Sequence, residues 1–283
     1  MTNRLFIFGL GYSGVEIARQ AKAAGWSVAG TIRSAAKVKQ LAAEGIEAHL
    51  LDGAEPLPSG LIGGTTHVLC TIAPGRTGDP VLATCTALLR EACWLGYLST
   101  TGVYGDHAGG WVDETTPPNP GQPRSVDRLE AERAWQALGS TLFRLPGIYG
   151  PGRSAIDQVK AGTARRIDKP GQVFSRIHVE DIAATVLAAI ERPSAGAIYN
   201  VADDLPAPTP DVIAHACRLL ARPVPPLVPW AEVAPTLSAM ARSFYAENRR
   251  VRNDRIKHEL GVRLRYPTYR EGLQAILAVS RRP

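Results

Sequence analysis

The feature that most constrains this chain is a run of three glycines near its N-terminus, GLGYSG at residues 9–14. It follows a short apolar run, Arg4–Phe8, and precedes a segment with apolar residues at helical spacing. In such a strand–turn–helix, the first glycine permits the tight turn, the second lets the backbone approach a pyrophosphate, and the third lets the helix pack closely on the sheet. The helix N-terminus then directs its free amides at the phosphates. The pattern therefore predicts a dinucleotide site, formed by Gly9, Gly11, Tyr12, Ser13 and Gly14.

The end of the second predicted strand bears on the choice between NAD(H) and NADP(H). Sites for NAD of this type carry Asp or Glu about 20 residues after the glycines, where the carboxylate holds the ribose hydroxyls. This chain has Thr31, Arg33 and Ser34 there, and no acid. A guanidinium with two hydroxyls suits a 2′-phosphate. We therefore predict NADP(H), with NAD(H) as the alternative.

Two further segments extend the predicted site. Asp52 ends the third predicted strand, where its carboxylate either accepts from the adenine amine or caps a turn. Ala73 and Pro74 follow the fourth predicted strand and are placed along the ribose and adenine. Both segments are expected at the carboxyl edge of the sheet, where ligands of open α/β sheets bind.

Strand-like and helical segments alternate along residues 4–145, with short connections between them. This alternation predicts an α/β fold with a Rossmann-type, doubly wound parallel sheet. The pattern changes after Gly152, where polar and proline-rich stretches follow. We assign residues 1–153, completed by 176–202, to a dinucleotide-binding domain. Residues 154–175 and 203–283 are assigned to a smaller, discontinuous C-terminal substrate lobe, and the last forty residues are predicted to be helical.

Composition and charge exclude several other classes of protein. The sequence has no apolar run of about 18 residues, which excludes a membrane-spanning helix, and it enters a strand directly without a signal-peptide pattern. Its four cysteines and six histidines lack metal-ligand spacing. The net charge of +6 arises after Ala241, where basic and acidic residues alternate without a nucleic-acid-binding motif. We therefore expect a cytoplasmic protein that binds no nucleic acid and no membrane.

Three further motifs follow in order along the chain: STTGVYG at 99–105, RLPGIYGPG at 144–152 and HVEDIA at 178–183. Together with the glycine turn, they resemble the extended and atypical short-chain dehydrogenase/reductases, and more narrowly their nucleoside-diphosphate-sugar epimerase/dehydratase-like branch. The segment from Arg250 to Leu273 is similar to that branch as well. The resemblance spans nearly the whole chain. It implies a nicotinamide cofactor, a small-molecule substrate such as a nucleotide sugar or a small carbonyl compound, and pairing into a homodimer.

The resemblance also implies a catalytic Ser/Thr, a tyrosine and a lysine. In the family the hydroxyl orients the substrate, the tyrosine is the general acid/base, and the lysine holds the ribose and lowers the tyrosine pKa. Matching the motifs puts Thr100 at the Ser/Thr position. Counting back from the LEAE helix start at 129–132 puts Arg128 at the lysine position and Arg124 at the tyrosine position. A guanidinium remains charged at physiological pH and is a poor proton donor, so the usual acid/base is missing.

Other side chains are candidates for the missing group. Tyr104 lies just past Thr100 and is predicted as the substitute catalytic tyrosine, with Tyr149 and His178 as further candidates. The leading interpretation is an NAD(P)-dependent oxidoreductase or epimerase-like protein in which Thr100, Arg128 and Tyr104 act on the substrate. The alternative is a non-catalytic NADP(H)-binding sensor or scaffold, because the tyrosine and the lysine are absent.

Overall fold

The computed structural model describes residues 3–51 and 60–279. Its strands in chain order are β1 (Arg4–Phe8), β2 (Ser27–Ile32), β3 (Glu47–Leu50), β4 (His67–Cys70), β5 (Trp94–Thr100), β6 (Trp111–Val112), β7 (Thr141–Leu145), β8 (Gly147–Tyr149), β9 (Arg166–Asp168), β10 (Arg176–His178), β11 (Ile198–Asn200), β12 (Leu227–Pro229) and β13 (Arg250–Val251). Its α-helices are α1 (Tyr12–Ala23), α2 (Ala35–Ala43), α3 (Pro80–Leu89), α4 (Pro123–Gln136), α5 (Ala155–Lys160), α6 (Val179–Glu191), α7 (Thr209–Leu219), α8 (Trp230–Val233), α9 (Ala239–Ser243), α10 (Asp254–His258) and α11 (Tyr269–Val279).

Seven strands form the central sheet, in the order β3-β2-β1-β4-β5-β7-β11. Every neighbouring pair in this sheet is parallel. The predicted α/β, Rossmann-type doubly wound sheet is thus confirmed. The strand order reverses beside β1, because the chain adds β2 and β3 on one side of it and β4 on the other. Ligands of open α/β sheets bind at such a reversal, and the turn after β1 carries the three glycines.

Helices cover both faces of the sheet. On one face α1 and α6 pack together, and Ile17 and Ile182 lie in one apolar cluster with the sheet. On the other face α3 and α4 contribute Val81 and Trp135 to a second cluster. Both faces therefore exclude water, as a parallel sheet requires.

A buried ion pair ties α4 to the sheet. The Arg144 side chain on β7 donates to Glu132 on α4 at 2.7 Å, and both side chains are only 3% exposed. A second Arg144 nitrogen, Nε, also donates to the same carboxylate, at 3.1 Å. This two-point contact fixes the position of α4 relative to the end of β7.

A third apolar cluster lies outside the sheet and includes Ile156 of α5, Ile213 of α7 and Leu273 of α11. Three short parallel pairs lie outside the central sheet: β8 with β10, β9 with β12, and β6 with β13. Of these, β6 with β13 connects residues 203–279 to the part of the chain that forms the sheet. We refer to residues 154–175 and 203–279 as the C-terminal lobe. The boundary at residue 153 stays a prediction.

The last forty residues differ from the helical prediction. They contain β13 and an irregular segment as well as α10 and α11. Ile256 of α10 packs in the same cluster as the sheet and α6, so part of this segment supports the sheet. Two-residue strands such as β13 are too short to give a periodic signal in the sequence.

Within residues 3–51 and 60–279, no helix has the length and apolarity needed to cross a membrane. The same described residues hold no group of three or more His, Cys, Asp or Glu side chains placed to bind a metal.

Candidate functional site

The turn after β1 has the geometry of a pyrophosphate cradle. Gly9 has a φ of +98°, a conformation that favours glycine. A Cβ on Gly14 would lie 2.2 Å from the Gly9 carbonyl oxygen, so this glycine lets α1 approach the turn. A Cβ on Gly11 would meet no heavy atom within 4 Å. Packing therefore explains Gly9 and Gly14, whereas Gly11 leaves open space of the kind a dinucleotide pyrophosphate needs.

The first residues of α1 border this open space. Tyr12 is 36% exposed, and its hydroxyl donates to the Pro151 carbonyl at 3.1 Å. Burial raises the pKa of Tyr12 to about 12, so the hydroxyl remains protonated at neutral pH. Ser13 is buried at 9% exposure. Tyr12 therefore joins the glycine turn to the loop after β8.

The residues predicted to hold the 2′-phosphate divide into two groups. The Thr31 hydroxyl accepts from the Gly9 amide at 3.0 Å and the residue is 1% exposed. This burial argues against the predicted phosphate contact, because the hydroxyl holds the glycine turn instead. Arg33 is exposed, and Ser34 is the N-cap of α2 without a side-chain capping bond. Neither side chain has a hydrogen bond to another residue that the structure describes, so both are available to a ligand. Asp52 lies outside the described residues.

A cavity of about 680 Å³ opens between the sheet and the C-terminal lobe; we call it the interlobe cavity. From the sheet side it is lined by the predicted Ala73, Pro74, Thr100 and Arg128. From the lobe side its lining includes Phe174, Arg176, Phe244, Tyr245, Glu247 and Arg249. The cavity thus brings the ends of β4 and β5 opposite the lobe, as expected for a ligand bound at the carboxyl edge.

Thr100 lies at the end of β5 with its side chain in the interlobe cavity. Its Oγ1 accepts a hydrogen bond from the Gly102 amide at 3.1 Å. Because the oxygen already accepts from the backbone, its own proton remains available for an acceptor in the cavity. This arrangement suits a hydroxyl that orients a substrate oxygen.

Arg128 also lines the interlobe cavity, but its Nη1 is engaged. It donates to the Tyr97 hydroxyl at 3.0 Å and to the Leu98 carbonyl at 2.9 Å. Burial raises the pKa of the Tyr97 hydroxyl, which keeps this group neutral. Arg128 therefore brings a positive charge to the cavity wall from a fixed position.

Tyr104 does not reach the interlobe cavity. It is fully buried, and its hydroxyl donates to Asn200 Oδ1 at 2.8 Å. Burial also raises its pKa. The placement argues against the predicted catalytic role, because the only polar atom of the side chain is bonded to Asn200 and the residue does not line the cavity.

The two other candidates for the missing acid/base, Tyr149 and His178, also form hydrogen bonds within the protein. The Tyr149 hydroxyl donates to the Thr268 carbonyl at 3.4 Å. Burial lowers the pKa of His178 to about 4, and its Nδ1 accepts from the Glu180 amide at the start of α6. Neither side chain lines the interlobe cavity.

Ser125 and the aromatic lobe residues are functional candidates that the sequence prediction missed. Ser125 is 4% exposed and lines the interlobe cavity beside Thr100. Its signal in the sequence is its spacing, since it precedes Arg128 by one helical turn. Phe174, Phe244 and Tyr245 carry no comparable signal, because only the folded lobe brings them to the cavity.

Positive charge dominates the interlobe cavity. Among the described residues, five arginines line it, against a single carboxylate, Glu247. That carboxylate is paired with Arg249 at 2.8 Å. An anionic ligand is therefore favoured in this space.

Comparison with known families agrees with this geometry. The model of the NAD dependent epimerase/dehydratase family matches residues 81–202, which include Thr100, Ser125 and Arg128. Residues 81–202 of this chain are thus similar to this family. The resemblance inferred from the motifs is thus confirmed.

Three relatives show how close the similarity is. A conserved protein of unknown function from Silicibacter pomeroyi is 49% identical over 99% of this chain and 100% of that one, with a TM-score of 0.90. A Streptomyces protein named 3-diazoavenalumate denitrifying reductase is 31% identical over 57% of this chain, and the match spans 58% of its own length. The human epimerase family protein SDR39U1, solved with NADPH, is 17% identical, with a TM-score of 0.73 over 97% of this chain and 99% of that one. At that identity the likeness shows the fold alone.

Proposed function

We propose that this protein is an NADP(H)-dependent oxidoreductase that converts a small molecule in the interlobe cavity. The observation that carries the proposal is the open space above Gly11 at the sheet's carboxyl edge, together with a cavity that contains Ala73, Pro74 and Thr100. This arrangement accommodates a dinucleotide with its pyrophosphate at the turn and its reactive end near Thr100. The reductase name of the Streptomyces relative favours the same interpretation.

A bound nicotinamide supplies or accepts the hydride. The chain's own residues bind the cofactor and orient the substrate. The amides at the start of α1 hold the pyrophosphate, and the exposed Arg33 with Ser34 holds the 2′-phosphate. The Thr100 hydroxyl donates to the substrate oxygen, and Arg128 supplies a positive charge without giving up a proton.

Fluorescence titration with NADPH and NADH tests the cofactor part of the proposal. We expect Arg33→Ala to weaken NADPH binding by about tenfold or more, because it removes a charge-assisted contact to phosphate, and to leave NADH binding unchanged. Lys39→Ala is the matched control, since it removes a positive charge from the exposed surface of α2, the helix that follows Arg33. Failure of the wild type to bind either dinucleotide at millimolar concentration would contradict the proposal.

Turnover separates this function from the second candidate, a non-catalytic NADP(H) sensor or scaffold. That candidate is favoured by Arg124 and Arg128 standing at the tyrosine and lysine positions of the family. A panel of carbonyl compounds and nucleotide sugars is assayed for NADPH oxidation, with Thr100→Ala and Thr100→Ser as a pair. Turnover that falls with alanine and persists with serine supports the enzyme. Tight NADPH binding without turnover supports the sensor. We also propose that the protein is cytoplasmic and that it forms a homodimer.

A further inference from the structure

The first turn of α4 faces the interlobe cavity and lacks the groups that usually stabilise a helix N-terminus, which are a capping side chain and an acidic residue. Its N-cap, Gln122, makes no side-chain capping bond, and the turn contains no acidic residue. Pro123 has no N–H to donate, and the Ser125 amide bonds to the Gln122 carbonyl at 2.8 Å. A carboxylate close to this turn is that of Glu247, whose Oε1 would lie 3.3 Å from a Cβ on Gly121, and it is already paired with Arg249. The first turn therefore has no acidic residue of its own to balance the positive end of the helix dipole.

Ser125 gives an independent sign of a ligand at this place. The residue is 4% exposed and lines the interlobe cavity, yet its hydroxyl makes no hydrogen bond to another described residue. A Cβ on Gly102 would lie 2.8 Å from Ser125 Oγ and 3.3 Å from Thr100 Oγ1. The two hydroxyls thus border the same small space. The Ser125 hydroxyl lines the interlobe cavity, where it can donate to an acceptor on a bound molecule.

Arg124 adds an uncompensated charge to the same turn. Its guanidinium carbon lies 4.6 Å from the centre of the Phe244 ring, and Nη1 contacts the Met240 sulfur at 2.5 Å. Within residues 3–51 and 60–279 it forms no ion pair. Phe244 and Met240 are themselves 55% and 58% exposed, so they cover the guanidinium only in part. Its planar set of five donors matches a carboxylate, which it can bind at two points.

Aromatic side chains also line the interlobe cavity. Phe174, Phe244 and Tyr245 line it from the C-terminal lobe, and the Phe174 and Tyr245 rings pack edge to face at 5.3 Å. Flat unsaturated groups pack well against such rings. The cavity thus combines the Arg124 guanidinium and the hydroxyls of Ser125 and Thr100 with aromatic rings.

We propose that Arg124 and Ser125, on the first turn of α4, bind a carboxylate of the substrate, and that the substrate is a planar aromatic or conjugated carboxylic acid. The inference rests on the proposed function, since it names the substrate class of the same cavity. It gives a role to the arginine that stands where the family has its tyrosine. Arg124 and Ser125 hold the substrate, with Thr100 beside them.

Calorimetric titration of the full chain loaded with NADP⁺ tests this site. The probes are benzoate, its neutral analogue benzamide, and UDP. We expect benzoate to bind and benzamide to bind at least about tenfold more weakly, because benzamide lacks the charge that pairs with the guanidinium. Arg124→Gln should weaken benzoate binding by at least about tenfold, and Ser125→Ala by a smaller factor. Arg133→Gln, the same change at an exposed position of α4 outside the cavity, should leave it unchanged.

The outcomes separate this inference from the proposed function. If NADP⁺ fails to bind, the proposed function fails, and benzoate is titrated into the free protein, where a loss specific to Arg124→Gln still supports the carboxylate site. If NADP⁺ binds but benzoate does not, or if Arg124→Gln and Arg133→Gln act equally, the inference is overturned. It is also overturned if UDP binds more tightly than benzoate in an Arg124-dependent manner, because the site then takes a diphosphate. NADP⁺ affinity should be the same in all three variants.

Discussion

Alanine at Gly11 and at Gly14 should separate ligand binding from folding. Both substitutions add one methyl group to the same turn, but the surroundings differ. The Cβ at Gly14 would lie 2.2 Å from the Gly9 carbonyl oxygen, whereas the Cβ at Gly11 would meet nothing within 4 Å. The Gly11 backbone, with φ of −80°, is also open to alanine.

The magnitudes follow from these distances. The Gly14 contact is roughly 1 Å short of an ordinary contact, so α1 or the turn must shift, which costs about 1–3 kcal/mol. For a chain of this size each kcal/mol lowers Tm by about 2–4 °C. Gly11→Ala loses at most about 1 kcal/mol, because alanine is a poorer N-cap residue than glycine. Its methyl group would occupy the space assigned to the pyrophosphate and weaken NADPH binding by about tenfold or more.

Thermal unfolding and NADPH titration of both variants check this pair. We expect Gly14→Ala to lower Tm and Gly11→Ala to keep a Tm near that of the wild type while losing NADPH affinity. Unchanged NADPH affinity in Gly11→Ala would refute the reasoning, because the pyrophosphate then does not lie against this turn. A large fall of Tm in Gly11→Ala would show instead that the space is needed by the fold.

Two further predictions concern buried groups. Glu132→Gln should lower the free energy of unfolding by about 3–5 kcal/mol, because it leaves Arg144 buried without its counter-charge; urea denaturation measures this, and a double variant with Met at both positions should recover most of the loss. The pKa of His178 is lowered from 6.5 to about 4 by burial, with a smaller effect of Arg265. The folded state therefore binds fewer protons than the unfolded state between about pH 4 and 6.5, and stability falls as the pH falls through this window. His178→Asn, which keeps an N-cap side chain, should flatten that dependence in urea denaturation at a series of pH values, and an unchanged slope would contradict the assignment.

The sheet could be predicted from sequence because its signals are local. The apolar run Arg4–Phe8 matches β1 to the residue, and the glycine pattern marked the start of α1. The cofactor turn could be predicted for the same reason, since Gly9, Gly11 and Gly14 act within one strand–turn–helix.

The cavity could not be predicted in the same way, because it depends on contacts between distant segments. Thr31 looked like a phosphate ligand, yet its hydroxyl bonds to Gly9 across 22 positions of sequence. Tyr104 looked catalytic from its place in the STTGVYG motif, yet Asn200, 96 positions away, takes its hydroxyl. The local sequence pattern does not show which distant residue such a side chain will contact at the end of a strand.

The pairing of β6 with β13 bears on how the protein is made. Trp111 aligns with Arg250, and Val112 with Val251, so this short ladder closes a very long loop and adds slowly forming, non-local contacts. During synthesis the strands of the central sheet leave the ribosome before β13 does, since β11 ends at Asn200. Glu247 and Arg249, which line the cavity just before β13, therefore join it late. A nascent chain can have a complete dinucleotide crevice while its substrate side is still open to chaperones and proteases.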